Sequence, residues 1–376
     1  MSFFPRILIL TAGFGEGHNS AARNLAEALR PHAHPRVIDP CDAASPRLNA
    51  VLKEGYRQII THTPWLWHAI YKSTDKQDFS KPLPFLKPTE RSLATQIERH
   101  QPHAIVCTYP LYPYLIERIF RENPDLPRVP VITIVTDSLE INASWTRSPS
   151  HQFFVTDEGT REKMIAAGLP EDIVQVTGFP VSPRFPNLPC LYPSAPVRPF
   201  KVLFFATRRF LKVRQIVRAV LSHPDTEITL VLGRSVRELY RKSQEVAAEF
   251  PGRVTIKGWT KKVPELMGQH HLVLGKAGGA TVHEALAARC PMIVHHRVPG
   301  QEDGNVALLD QWGVGCFLSE PDHIRDYLGQ LLENDAELWR EQKITLLQFS
   351  KPCGALDCAD QVLDLISPNR SFDFRS

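Results

Sequence analysis

Residues 272–305 read LVLGKAGGATVHEALAARCPMIVHHRVPGQEDGN, and this stretch decides the fold. Residues 272–274 form a short apolar run with strand character, and Lys276, Gly278 and Gly279 follow where the chain must turn. A helix is expected from about Thr281 and a second strand over 292–295. A turn of this kind leaves N–H groups at the helix start without intrahelical partners, and with the helix dipole they attract an anion. Gly278 and Gly279 carry no Cβ to hold the anion's oxygens away from the backbone. A plainer reading stands beside this one: Thr281 and Glu284 have the spacing of a capping box, in which each side chain satisfies an orphan N–H. The polar, glycine-rich segment 298–305 favours the first reading, because ligands of doubly wound sheets sit outside the carboxyl ends of the strands.

Working outward, apolar strand-like runs alternate with helical patterns through the whole chain. The second half has them at 201–206, 227–232, 253–256, 272–274, 292–295 and 314–318, and the first half at 6–10, 36–39, 104–107, 131–135, 152–155 and 173–177. Between the halves, prolines fall at 183, 186, 189, 193, 196 and 199, a density that no helix or central strand tolerates. The expected organisation is therefore α/β: a Rossmann-like domain over 1–182, a linker over 183–199, a second Rossmann-like domain over 200–350, and a helix and tail over 351–376. At 376 residues the chain is long enough for two cores. Leu356, Val362, Leu363 and Ile366 give the last helix an apolar face that can pack back across the linker.

Composition narrows the classes of function. A formal charge of +4 is too mild for a nucleic-acid partner, which needs concentrated Lys and Arg, but it is compatible with an anionic membrane surface. No apolar run approaches the roughly eighteen residues of a membrane span, and the short run at 6–10 reads as a first strand and not as a secretory signal. The seven cysteines include no C-x-x-C pair, and the fifteen histidines no H-E-x-x-H. Reduced thiols in a cytosolic protein are expected, with no metal site and no bound cofactor.

In the first half, residues 11–20 form a glycine loop before a helix expected over 21–29, and His18 sits where the loop ends. Asp39 lies about twenty residues past these glycines, as in a nicotinamide dinucleotide fingerprint, but the last glycine of that pattern is missing. Asp137 falls at the carboxyl end of the strand at 131–135, a position for either an Asx turn or a cleft carboxylate. Between 49 and 91, Tyr56, Trp65, Trp67, Tyr71 and Phe85 are interleaved with Lys53, Arg57, Lys72, Lys76, Lys81, Lys87 and Arg91. Such a segment is either a helical pair with its aromatics inward or a surface that touches lipid.

The motifs KAGGATVHEAL and PMIVHHRVPGQEDGN resemble the donor-binding signature of the monogalactosyldiacylglycerol synthase and processive diacylglycerol glucosyltransferase family, relatives of the lipid II glycosyltransferase. GFGEGHNSAA, the VTD at 135–137 and GFPVSPRF resemble further motifs of the same family. The resemblance implies the GT-B architecture, two Rossmann-like domains facing a cleft. It implies that Lys276, Gly278, Gly279, Ala280 and Thr281 hold the diphosphate of a UDP-sugar, that Glu284 binds the ribose, and that Gln301, Glu302 and Asn305 face the sugar. His18 becomes the candidate base, with Asp137 orienting it or the acceptor. Trp65, Trp67, Tyr71 and Lys72 become the candidate acceptor and membrane face.

The expected activity is hexose transfer from a UDP-sugar to a lipid hydroxyl, most simply that of diacylglycerol, with inversion, no metal, and a peripheral location on the cytoplasmic membrane face. A UDP-sugar 2-epimerase and a non-catalytic nucleotide-sugar or lipid binding protein are the rival readings. Three places depart from the family pattern. Bulky Phe205-Ala-Thr-Arg-Arg-Phe-Leu-Lys212 replaces a glycine-rich loop, His271 stands where an acid is expected, and residues 138–142 lack an expected histidine.

Overall fold

A computed structural model describes residues 4–206, 210–233 and 236–367. The chain divides into two compact units. The first comprises residues 4–183, 298–304 and 353–367, and the second Arg184–Arg297 and Asn305–Pro352.

The first unit is built on a parallel sheet of β1 (Arg6–Leu10), β2 (His34–Ile38), β3 (Ala104–Cys107), β4 (Val131–Ile134), β5 (Gln152–Val155) and β6 (Val174–Val176), in the order β2-β1-β3-β4-β5-β6. Strand β1 shows why these runs are continuously apolar: helices cover both faces of a parallel sheet, so alternate residues find separate cores. Ile7 and Ile9 pack with Leu25 and Leu29 of helix Glu16–Leu29 and with Val362 of helix Gly354–Leu365, whereas Leu8 and Leu10 pack with Leu93, Ile97 and Leu115 on the other face. The helix at 354–365 is thus core to the first unit. It buries Ala355, Cys358, Ala359, Val362 and Leu365, and a Cβ at Gly354 would run into the Phe179 carbonyl.

The second unit repeats the plan with β7 (Phe200–Phe205), β8 (Thr226–Val231), β9 (Val254–Lys257), β10 (Leu272–Lys276), β11 (Met292–His296) and β12 (Gly315–Phe317), in the order β12-β11-β10-β7-β8-β9. Chain direction across the sheet reverses between the neighbours β7 and β10, so the turn after β10 lies at the topological switch point.

Three histidines close the amino ends of paired strands in the same way. His103, His151 and His271 each precede a strand, donate their backbone N–H to a carbonyl at the start of the neighbouring strand (that of Arg6, Val131 and Lys201), and accept that residue's N–H on Nδ1. The acceptor distances are 3.0 Å from Arg6, 3.0 Å from Val131 and 2.9 Å from Lys201. His271 also meets the Pro196 carbonyl through Nε2 at 2.9 Å and stacks on Phe200. The histidine that stands where an acid is expected is therefore a neutral structural bracket. Burial lowers the pKa of all three, that of His271 to about 4.

Candidate functional site

In the first unit the glycine loop ends sooner than its sequence indicates. Gly15, at φ 111°, caps a helix that begins at Glu16 and not at residue 21, and its left-handed backbone suits glycine. His18 consequently sits in the first turn, buried, with Nδ1 2.9 Å from the Thr136 hydroxyl. Thr108, at the end of β3, donates its hydroxyl to the His18 carbonyl at 3.1 Å. Burial pulls the imidazole pKa down to about 4, opposed by a bond to the Thr108 backbone, so the ring is neutral at physiological pH. A Thr136 hydroxyl that accepts from Nδ1–H leaves Nε2 with its lone pair.

The expectation that Asp137 orients His18 is corrected. Thr136 and Asp137 are adjacent past β4 and point different ways: the threonine meets the imidazole, while Asp137 accepts from Trp145 Nε1 at 2.8 Å. Burial raises the Asp137 pKa to about 6; the Trp145 bond works against that shift and the charge of Glu302 adds to it.

His18, Asp137 and Trp145 line a cavity of about 280 Å³ together with Phe14, Tyr56, Trp67, Tyr71, Phe79, Tyr109, Asn142 and Gln301. The Asn142 side chain, in the segment that departs from the family pattern, accepts from Ser144 N at 2.9 Å and reaches Thr74 Oγ1 at 3.0 Å, bracketing the wall. Tyr56 donates to Gln301 Oε1 at 3.0 Å. The segment 298–304 belongs to this unit: Gly300, at φ 84°, lies against His68 and Tyr71, and a Cβ at Gly304 would strike the Ser138 carbonyl.

The aromatic segment resolves into helices Pro46–His62 and Pro64–Thr74, and the second carries aromatics on both of its faces. Trp67 and Tyr71, four residues apart, face the cavity. Trp65, two residues from Trp67, is turned outward and is 70% exposed, and Lys72 is exposed too. Leu48, Val51, Leu52, Leu66 and Ile70 are exposed on the same two helices, and Phe85 is 71% exposed. Arg118, almost fully buried, pairs with Glu90 at 2.6 Å and donates to the carbonyl of Phe79 at 2.7 Å, fixing another wall residue.

In the second unit the helix after β10 spans Gly279–Ala287 and is capped by Gly278, without a side-chain cap. The capping box is therefore not formed: Thr281 lies inside the helix, because the chain enters helical geometry two residues before the expected start. Gly278 has φ −62° and ψ 135°, open to any residue, so backbone conformation does not require glycine there. Lys276 is exposed at the end of β10, and Gly279, Ala280, Thr281 and Glu284 are partly exposed along the helix start.

Asn305 does not face outward. It is 3% exposed and donates from Nδ2 to the Ala277 carbonyl at 2.9 Å, bracing the turn from behind. Gln301 and Glu302 group with the first unit, where Glu302 accepts from Val298 N at 2.7 Å. Thr207, Arg208 and Arg209 lie outside the described residues. Among the described residues no group of three or more His, Cys, Asp or Glu side chains is arranged to hold a metal.

Two doubly wound parallel sheets in one chain, each of six strands, define the GT-B class. The fold matches that of MurG from Acinetobacter baumannii at a TM-score of 0.64, with 15% identity, covering 96% of this chain and 99% of that one. Residues 18–181 match the family model described as monogalactosyldiacylglycerol (MGDG) synthase. The chain is 26% identical over 354 residues to the processive diacylglycerol beta-glucosyltransferase of Staphylococcus carnosus, covering 89% of this chain and 86% of the relative. It is 25% identical over 373 residues to the chloroplastic monogalactosyldiacylglycerol synthase of Spinacia oleracea, covering 92% and 70%. The chain is thus similar to this family of glycosyltransferases, through the family model over residues 18–181 and through these relatives over most of its length.

Proposed function

We propose that the protein transfers a hexose from a UDP-sugar to the hydroxyl of a neutral glycerolipid, of which diacylglycerol is the simplest, while seated on a membrane surface. The observation that carries this reading is the cavity of the first unit. It places a neutral imidazole and a carboxylate among aromatic walls, on the inner side of a helix pair whose outer side presents Trp65, Leu66, Ile70 and Lys72. Aromatic and aliphatic groups beside basic side chains suit the membrane interface. Sequence relatives named for diacylglycerol glycosyl transfer support the substrate class.

In the proposed reaction the lipid hydroxyl attacks the anomeric carbon, the bond to the β-phosphate oxygen breaks, and UDP leaves with the electron pair. The hydroxyl proton passes to His18, whose depressed pKa keeps it unprotonated before the step. Asp137, ionised above about pH 6, accepts a hydrogen bond from the acceptor or offsets the imidazolium charge. Charge developing on the diphosphate is met by the N–H groups at Gly279–Thr281 and by Lys276, with Glu284 toward the ribose. The single-displacement geometry gives an inverted, β-linked product and needs no metal.

The test is incubation of purified protein with UDP-glucose, UDP-galactose or UDP-N-acetylglucosamine and vesicles containing diacylglycerol. Glycolipid and UDP in equal amounts are expected with one of the donors. Epimerised UDP-sugar without acceptor, or binding without turnover, would overturn the reading.

A further inference from the structure

Among the described residues, two fully buried hydrogen-bond donors of the cavity-lining side chains are not used by the protein itself. Trp67 Nε1 and Tyr71 Oη have almost no accessible surface and no partner among the described residues. Both belong to helix Pro64–Thr74, one turn apart, and both residues line the cavity that His18 and Asp137 share. Two neighbouring donors are spent, Tyr56 on Gln301 and Trp145 on Asp137. Leaving a buried donor unsatisfied costs about 1–3 kcal/mol, so two on one face call for an acceptor that arrives from outside.

The lining restricts what that acceptor is. It includes the Asp137 carboxylate and no lysine or arginine, so an anionic headgroup would meet repulsion without compensation. The volume of about 280 Å³ falls below the roughly 300–1,000 Å³ of pockets that enclose a whole drug-sized ligand, so it takes the polar end of a lipid and leaves the chains outside. A neutral group with strong acceptors and no need of a donor, beside a free hydroxyl, is an acyl ester.

Resting on the functional reading above, we infer that Trp67 Nε1–H and Tyr71 Oη–H bind the ester carbonyl oxygens of the acceptor, so that the enzyme selects acyl-ester glycerolipids over their ether-linked counterparts. An ether oxygen is a weaker acceptor and sits in the chain instead of projecting from it. Burial, with the nearby charge of Asp137 adding to it, raises the pKa of the Tyr71 phenol, which keeps its proton available for donation.

The experiment compares 1,2-dioleoylglycerol with a 1,2-dialkylglycerol of equal chain length in the same phosphatidylcholine vesicles, using the wild type, Trp67→Phe and Tyr71→Phe. The wild type is expected to favour the ester in kcat/KM by about fivefold or more. Each substitution should lower ester kcat/KM by about fivefold, mainly through KM, and lower the ether value by less, so that the preference for the ester narrows. Thermal midpoints of Tyr71→Phe should equal or exceed the wild type, because the change removes an unsatisfied hydroxyl and nothing that holds the fold. Equal use of ester and ether by the wild type, or an equal loss on both lipids in the variants, overturns the inference while sparing the functional reading. Absence of transfer to either lipid overturns both.

Discussion

Replacing His271 by asparagine should flatten the acid limb of the protein's stability. In the fold this imidazole accepts the Lys201 N–H on Nδ1, a bond that a protonated ring cannot accept, and burial brings its pKa from 6.5 to about 4. A histidine depressed in this way binds its proton in the unfolded chain first. Stability is therefore full above about pH 6.5, falls as the pH drops, and levels off below about pH 4. Between pH 7.5 and pH 5.0 the linkage is worth RT ln[(1 + 10^1.5)/(1 + 10^−1)], about 2 kcal/mol, against about 3.4 kcal/mol for the full shift. Asparagine places an amide oxygen where Nδ1 stood and does not titrate. The variant will be weaker at every pH, since it loses the Pro196 bond and the stacking on Phe200, but its loss on acidification should be smaller by about 2 kcal/mol. Urea midpoints and m-values at pH 7.5, 6.5, 5.5 and 5.0, followed by tryptophan fluorescence, give the difference directly. A variant whose midpoint falls with pH as steeply as the wild type would refute the argument.

Other outcomes follow from the same geometry. The kcat/KM of glycosyl transfer should fall below about pH 6, where Asp137 takes up its proton, and Asp137→Asn should lower the rate and remove that limb; a limb near pH 4 instead would place the titration on His18. Glu90→Gln leaves the buried Arg118 charge without its counter-ion and should cost about 3–5 kcal/mol of stability in thermal or urea melts, so a change below about 1 kcal/mol would show that the pair is dispensable. Trp65→Ser combined with Lys72→Glu should reduce sedimentation with anionic vesicles at least several-fold while leaving UDP affinity unchanged, and unaltered sedimentation would remove this helix face from the membrane contact.

The sheets were legible in the sequence because parallel strands covered on both faces must be apolar at every position, as Ile7, Leu8, Ile9 and Leu10 are. Helix starts were less legible. Gly15 and Gly17 read as loop, yet the left-handed backbone at Gly15 launches the helix at once, and Thr281 reads as a cap although Gly278 already serves. The aromatic helix could not be assigned one face from composition. Successive residues turn by about 100°, so Trp65 and Trp67 are about 200° apart and serve opposite sides. Gln301 and Asn305, four positions apart in a motif that suggests one role, take different ones, since contacts distant in sequence seat the first against Tyr56 and the second behind Ala277. The bracket histidines carry no signature at all, because their partners are backbone N–H groups that every residue possesses.

The helix at 354–365 has a consequence for biogenesis. Strand β1 leaves the ribosome hundreds of residues before the segment that seals one of its faces, so the apolar side formed by Ile7, Ile9, Ala22 and Leu25 stays uncovered through synthesis of the entire second sheet. The half that is translated first is thus the half that matures last. A nascent chain stalled before residue 353 would expose a sticky surface for chaperones to shield, and only emergence of the helix at 354–365 would remove it.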